Sequence, residues 1–207
     1  MVKMGKFSRI LVSVILPDFN LMNRYSAVAS VIYSFVSVLK KNGFEVYVNN
    51  RHIDDWEKQQ ANSNKTVSSI TKFRIIYLFP KRFREIIKDL QAIFKTQQLR
   101  RSIEAIPTPD LIISWITYRN SYAVDFAKKW NVPLISIYDN PLSSEYSFLH
   151  GFPPFMKWQV EYHEKRSVTE SDSLILYSTA VLDYLNKKYP VSGKVYYIAF
   201  TDFLRMK

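Results

Sequence analysis

The sequence predicts an α/β domain in which a parallel β-sheet carries helices on both faces. Three observations predict it. Apolar β-branched runs alternate with amphipathic stretches along almost the whole chain. The first run, Arg9 to Leu16, is apolar at nearly every position, as expected of a strand covered on both sides. The stretches between runs are long enough to hold helices, and connections of that kind join parallel strands.

The elements follow in order. After the Arg9 to Leu16 strand, Tyr25 to Asn42 reads as a helix with Val28, Ile32, Phe35 and Leu39 on one stripe and Gly43 at its C′ position. Phe44 to Val48 reads as a second strand. Residues 50–71 crowd Asn, Gln, Ser and Lys together and read as a polar surface loop. Phe73 to Phe79 has strand character, Pro80 ends it, and a long helix is expected to about Arg101. "PDLIISW" supplies a strand at 110–115, Asn120 to Trp130 a helix, and "VPLISIYD" another strand with Pro133 near its start. Pro153-Pro154 opens a helix to about Glu170, since proline suits the first turn. "SLILY" then gives a strand, Ser178-Thr179 cap a helix to Tyr189, and "KVYYIAF" gives the last strand.

Composition narrows the class. The chain has 207 residues, enough for one generous domain, and its fourteen Tyr, fourteen Phe and four Trp argue against disorder. It has no cysteine, which excludes disulfides, zinc–thiolate sites and thiol catalysis. The apolar "ILVSVIL" after Lys3, Lys6 and Arg9 is short and reaches Pro17-Asp18 without a small-residue cleavage site, so it reads as a first strand, not a signal peptide. The longest uncharged run, Tyr25 to Leu39, is shorter than the ~18 residues a membrane span requires. A chain that is cytoplasmic, or bound to a membrane from one side only, is expected. The formal charge of +11 points to phosphate-rich ligands, nucleic acid or anionic lipid as partners.

Right-handed crossovers place every strand-to-helix turn on one edge of a parallel sheet, where such folds bind ligands. The turns concerned are Pro17 to Arg24, Trp115 to Asn120, Tyr138 to Glu145 and Ser178-Thr179, and three of the four are rich in Asp, Asn, Arg and Tyr.

The order of the last elements resembles a known family. A helix holding Glu161 and Glu164 leads to Ser171-Asp172, the apolar run Leu174 to Tyr177, Ser178, a helix ending at Tyr189, and Lys194-Val195 with Ile198. This resembles the end of the N-terminal domain of GT-B retaining glycosyltransferases of the family 4 type. "RILVSVILP" with "LKKNGFEVYV" is similar to that family's opening, with Phe44 where the family has His, and "PDLIISW" through "AVDFAKKWNVPLISIYDN" is similar to its central segment. The resemblance implies a Rossmann-like, acceptor-side domain over 1–207, one half of a GT-B fold, whose donor-binding domain is expected elsewhere, on a longer chain or a partner subunit. The joined enzyme would be a hexosyltransferase moving a sugar from a nucleotide-sugar to a glycan or lipid-linked acceptor, in cell-envelope or polysaccharide biosynthesis. This half alone would be inactive, and no cofactor or metal is implied.

The sequence departs from the family pattern in places. "PDFNLMNRYSAV" lacks the Gly-Gly pair of the first loop, and with four glycines in all there is no GxGxxG or Walker loop for NAD or ATP. The candidate acceptor- or phosphate-binding residues are therefore Asn20, Asn23, Arg24, Tyr118, Arg119, Asn120, Asn140 and Glu145. Asp139, where many members carry His, is a weak catalytic candidate that could accept a hydrogen bond from an acceptor hydroxyl or brace a turn with Asn140-Pro141. His52, His150 and His163 lack zinc spacing, Glu161, His163 and Glu164 are expected to face solvent, and there is no GxSxG elbow.

Lys72 to Arg101 holds nine Lys or Arg against two acids. Phe83, Ile86, Ile87, Leu90, Ile93 and Phe94 project to one face of a helix there, for packing on the sheet. Lys81, Arg82, Arg84, Lys88 and Lys95 would rest on an anionic membrane surface, at about 1 kcal/mol each. Two other classes remain open: a non-catalytic basic module for anionic lipid or nucleic acid, and half of a GT-B sugar epimerase. The absence of an RRM, KH or OB signature argues against nucleic acid.

Overall fold

The computed structural model describes residues 8–14, 21, 26–63, 94–116, 121–139 and 154–198. Its sheet has seven strands: β1 (Arg9–Ser13), β2 (Glu45–Val48), β3 (Arg51–His52), β4 (Leu111–Trp115), β5 (Leu134–Tyr138), β6 (Ser173–Leu176) and β7 (Lys194–Tyr197). They lie in the order β3-β2-β1-β4-β5-β6-β7. Every neighbouring pair is parallel except β2 with the two-residue β3. The order reverses between β1 and β4, so the topological switch point lies beside the ends of those two strands.

The helices are α1 (Ala27–Lys41), α2 (Ile53–Ser63), α3 (94–103 of the described residues), α4 (Tyr122–Trp130), α5 (Pro154–Thr169) and α6 (Thr179–Lys188). Strand alternation sorts them onto two faces. Ile10 and Val12 of β1 join a core with Ile32 and Val36 of α1 and Ile53 and Trp56 of α2. Leu11, between them, points the other way into a core with Ile103 of α3 and Phe126 of α4. Farther along that face, Leu174 and Leu176 of β6 pack with Val160 and Val168 of α5 and with Val181 and Leu185 of α6. This is the expected Rossmann-like sheet with helices on both faces.

Local chemistry explains the boundaries. Ser26 accepts a hydrogen bond from the Ala29 amide at the start of α1, and Gly43 (φ 84°) ends it in the left-handed conformation glycine tolerates. Ser178 caps α6 by accepting from the Val181 amide at 3.4 Å. Asn131, with φ 53°, closes α4.

One expected loop is not a loop. Within 50–71, residues 51–63 form β3 and α2. The reason is tertiary. Ile53 and Trp56, three residues apart, turn into the core below α1. Asp54 and Asp55 occupy the first turn, where the helix dipole favours acids. Lys40 of α1 then reaches Asp54 at 2.7 Å and Glu57 at 2.8 Å. Residues 64–71 and the expected strand at 73–79 lie outside the described residues. The expected helix through Arg101 does contain the turns at 94–103, but Phe94 is 65% exposed instead of packing on the sheet.

Candidate functional site

The C-terminal ends of β1, β4, β5 and β6 all lie at the same edge of the sheet, as the parallel pairing requires. Most of the residues expected to carry the site there, Asn20, Asn23, Arg24, Tyr118, Arg119, Asn120, Asn140 and Glu145, lie outside the described residues. So do Lys81, Arg82, Arg84 and Lys88 of the basic segment. The structure does describe what holds the rim in place. Val14 and Ile116 directly follow the strands at the switch point, and Asp139 directly follows β5.

Two polar clamps, neither visible as a motif, fix that rim. The first is Asn49, which is 4% exposed and sits just past β2 with φ 54°. Its Oδ1 accepts from the Val14 amide at 2.8 Å and its Nδ2 donates to the Val14 carbonyl at 2.9 Å. Its own amide donates to the Val12 carbonyl at 2.9 Å. One side chain therefore completes the hydrogen bonds of the β1 backbone where no strand neighbour remains. Asparagine is among the few non-glycine residues that adopt this conformation readily.

The second clamp is Glu164, and it corrects an expectation: this carboxylate is fully buried (0% exposed), not solvated. The Tyr138 hydroxyl, from the last residue of β5, donates to its Oε1. The Tyr189 hydroxyl donates to Oε2 at 2.7 Å, and Lys188 Nζ lies 3.4 Å from the same oxygen. Lys188 also lies 3.4 Å from Glu161, so both helix glutamates are paired. Burial and the bond to Glu164 push the Tyr189 phenol above its ordinary value. Burial acts to lower the Lys188 ammonium, but its bonds to Tyr189 and Tyr184 and the charge of Glu164 outweigh it and hold the group higher than usual. Removing a charge from water is tolerated here because donors meet the carboxylate. The cluster ties α5, α6 and the end of β5 together.

His163, also expected to face solvent, is half-buried, with Nδ1 2.7 Å from Ser121 Oγ at the start of α4. Its ring lies 5.9 Å from that of Tyr122 and 5.4 Å from that of Tyr162. His52 is engaged with Asp54 at 3.4 Å.

Asp139, the weak catalytic candidate, is half-buried at the rim. The register that pairs Tyr138 with Leu176 brings it beside Tyr177. Burial first, and the Asp139 charge second, raise the Tyr177 phenol. Its expected turn with Asn140 lies outside the described residues. Lys95 is exposed on α3, beside Phe94. Among the described residues no group of three His, Asp or Glu side chains could hold a metal ion, and no helix is long and apolar enough to cross a membrane.

Among curated proteins nothing matches this chain. Among solved structures it is similar to Glycyrrhiza uralensis UGT73P12 complexed with glycyrrhetinic acid 3-O-monoglucuronide, at TM-score 0.45 and 12% identity, over 95% of this chain and 49% of that one. The chain thus spans about half the length of that protein. The Glycosyltransferase Family 4 model matches residues 28–199. That match runs from the start of α1 to just past β7, well over half of the sequence, and the chain belongs to glycosyltransferase family 4.

Proposed function

We propose that the chain is the acceptor-side half of a two-domain GT-B hexosyltransferase, which moves a sugar from a nucleotide-sugar to a hydroxyl of a glycan or lipid-linked acceptor. One observation carries the reading: in a family 4 glycosyltransferase chain, the C-terminal ends of four parallel strands lie along a single rim, the place where such sheets hold ligands. In this reading the acceptor lies across the rim. Asp139, fixed at the end of β5, accepts a hydrogen bond from the attacking hydroxyl and orients it. The donor nucleotide and its leaving phosphate belong to a second domain or partner subunit, and this half by itself transfers nothing.

Cell-envelope or polysaccharide assembly at the cytoplasmic membrane face fits the same reading. Its support is the excess of basic residues in 72–101 and the exposure of Phe94 and Lys95 side by side. Flotation with anionic and neutral vesicles checks that part: anionic vesicles alone should carry the chain.

Calorimetric titration of the purified chain tests the main proposal. Neutral oligosaccharides or glycolipid head groups should bind, while UDP and GDP should not bind at millimolar concentration. Nucleotide binding tighter than saccharide binding, or sugar transfer by the 207-residue chain alone, would contradict it.

A further inference from the structure

Trp158 and Tyr162 stand one turn apart on α5 and expose more surface than their size warrants. They are 65% and 49% exposed. Their rings stack on each other, with centroids 6.0 Å apart and planes at 27°. Tyr162 is braced in turn by the edge of His163 at 5.4 Å. The pair is therefore a preformed plate.

Its height on α5 is fixed by neighbours on the opposite side of the helix. Val160 packs in a core with Ile116, the residue just past β4. His163 meets Ser121, just before α4. Both partners belong to the rim, so the rim crosses α5 near residues 160–163. Trp158 lies on the N-terminal side of that level, and a helical side chain leans toward the helix N-terminus. The indole therefore stands at the height of the rim, on the outer side of α5.

The surroundings limit what can occupy it. Two aromatic side chains supply at most about 500 Å² of surface, whereas a stable protein interface takes about 800 Å² from each partner. Around the plate stand Lys157 and Glu161, 4.0 Å apart, and exposed Lys165. Charged side chains of this kind are depleted from interface cores, but they suit hydroxyl groups as donors and acceptors. The fitting occupant is small and flat, apolar on one face and hydroxylated at its edge.

We propose that the Trp158–Tyr162 pair is the stacking platform for a pyranose ring of the acceptor, a role that rests on the acceptor-side reading above. The buried bonds of Glu164, two residues beyond Tyr162, fix the rotation of α5. The platform is held ready before the sugar arrives, which lowers the cost of ordering it.

The experiment is a calorimetric titration of glucose and mannose tetra- to hexasaccharides into the purified chain and four variants. Trp158→Ala should weaken binding roughly tenfold, Tyr162→Ala by less, and Trp158→Phe should restore part of the loss. Tyr196→Ala, which removes an exposed aromatic of β7, should leave affinity unchanged. Saccharide binding indifferent to Trp158→Ala would overturn the platform and leave the acceptor-side reading standing. No saccharide binding by the wild-type chain would overturn both. Self-association in sedimentation that disappears in Trp158→Ala would assign the pair to a second copy of the chain and overturn the platform as well.

Discussion

The two sides of the switch point are held by different chemistry. At β1 a neutral amide, Asn49, satisfies backbone groups directly. At β5 a buried carboxylate, Glu164 of α5, gathers two phenols and an ammonium from β5 and the end of α6. The first clamp joins the ends of two neighbouring strands through one neutral side chain. The second joins a strand and two helices through a charged group. The difference teaches that a rim can be fixed either by completing one strand's hydrogen bonds or by tying neighbouring elements to one buried charge. The second way costs more to break.

Glu164→Ala should therefore have the largest effect. It strips the buried partner from Tyr138, Tyr189 and Lys188 at once, and should destabilise the fold by about 3–5 kcal/mol, measurable by urea unfolding. Glu164→Gln, which keeps the shape and one accepting oxygen, should cost less. Equal losses in the two variants would mean that the charge alone, and not the shape that glutamine keeps, holds the cluster.

Asn49→Ala comes next, at about 2–3 kcal/mol. It leaves the buried Val14 amide and carbonyl without their partner and puts alanine at positive φ. Asn49→Gly relieves the backbone strain but not the lost bonds, so it should recover about 1 kcal/mol of that loss. If glycine recovers everything, the clamp is a matter of backbone conformation and not of hydrogen bonding.

Ser178→Ala, which removes the cap of α6, should cost about 1 kcal/mol. It lies outside both clamps and sets the scale of an ordinary local change.

The smallest effect is one that acid removes. The Asp110 carboxylate accepts from the Arg9 and Ser8 amides and the Ser8 hydroxyl. Those bonds, the Arg9 amide first, hold it below the usual carboxylate value. Since the folded value is the lower one, its contribution is complete above about pH 4, the unfolded value. It is lost as pH falls through the folded value. Asp110→Asn should lower stability slightly in the neutral region and flatten the acid limb, so that the two curves converge as pH falls.

Much of the fold was legible because parallel strands advertise themselves. Leu111–Trp115 and Leu134–Tyr138 are nearly unbroken apolar runs, and Ser178 and Gly43 mark helix ends by chemistry that acts within a few residues. What escaped depends on distant partners. Polarity across 50–71 outweighed the i, i+3 spacing of Ile53 and Trp56, although Asp54-Asp55 before a tryptophan is a signal of a helix start. Glu164 shares its mixed-charge helix with Glu161, and nothing local separates them. Only Tyr138 and Tyr189, placed by the sheet, make one of them buried. Asn49-Asn50 after a strand does signal a left-handed turn, but the atoms it bonds lie 35 residues earlier. Of the candidate site, Asp139 and Lys95 are the residues whose surroundings are described.

The rim is the centre of the account, and amide chemical shifts of the isotopically labelled chain test it most directly. Titrated with a neutral oligosaccharide, the chain should show its changes at Ile116, Ser121, Asp139, Tyr177 and Trp158, with the opposite end of the sheet, at Asp110, Pro133 and Asp172, undisturbed. Changes concentrated at that opposite end, or at the rim only with a nucleotide, would contradict it.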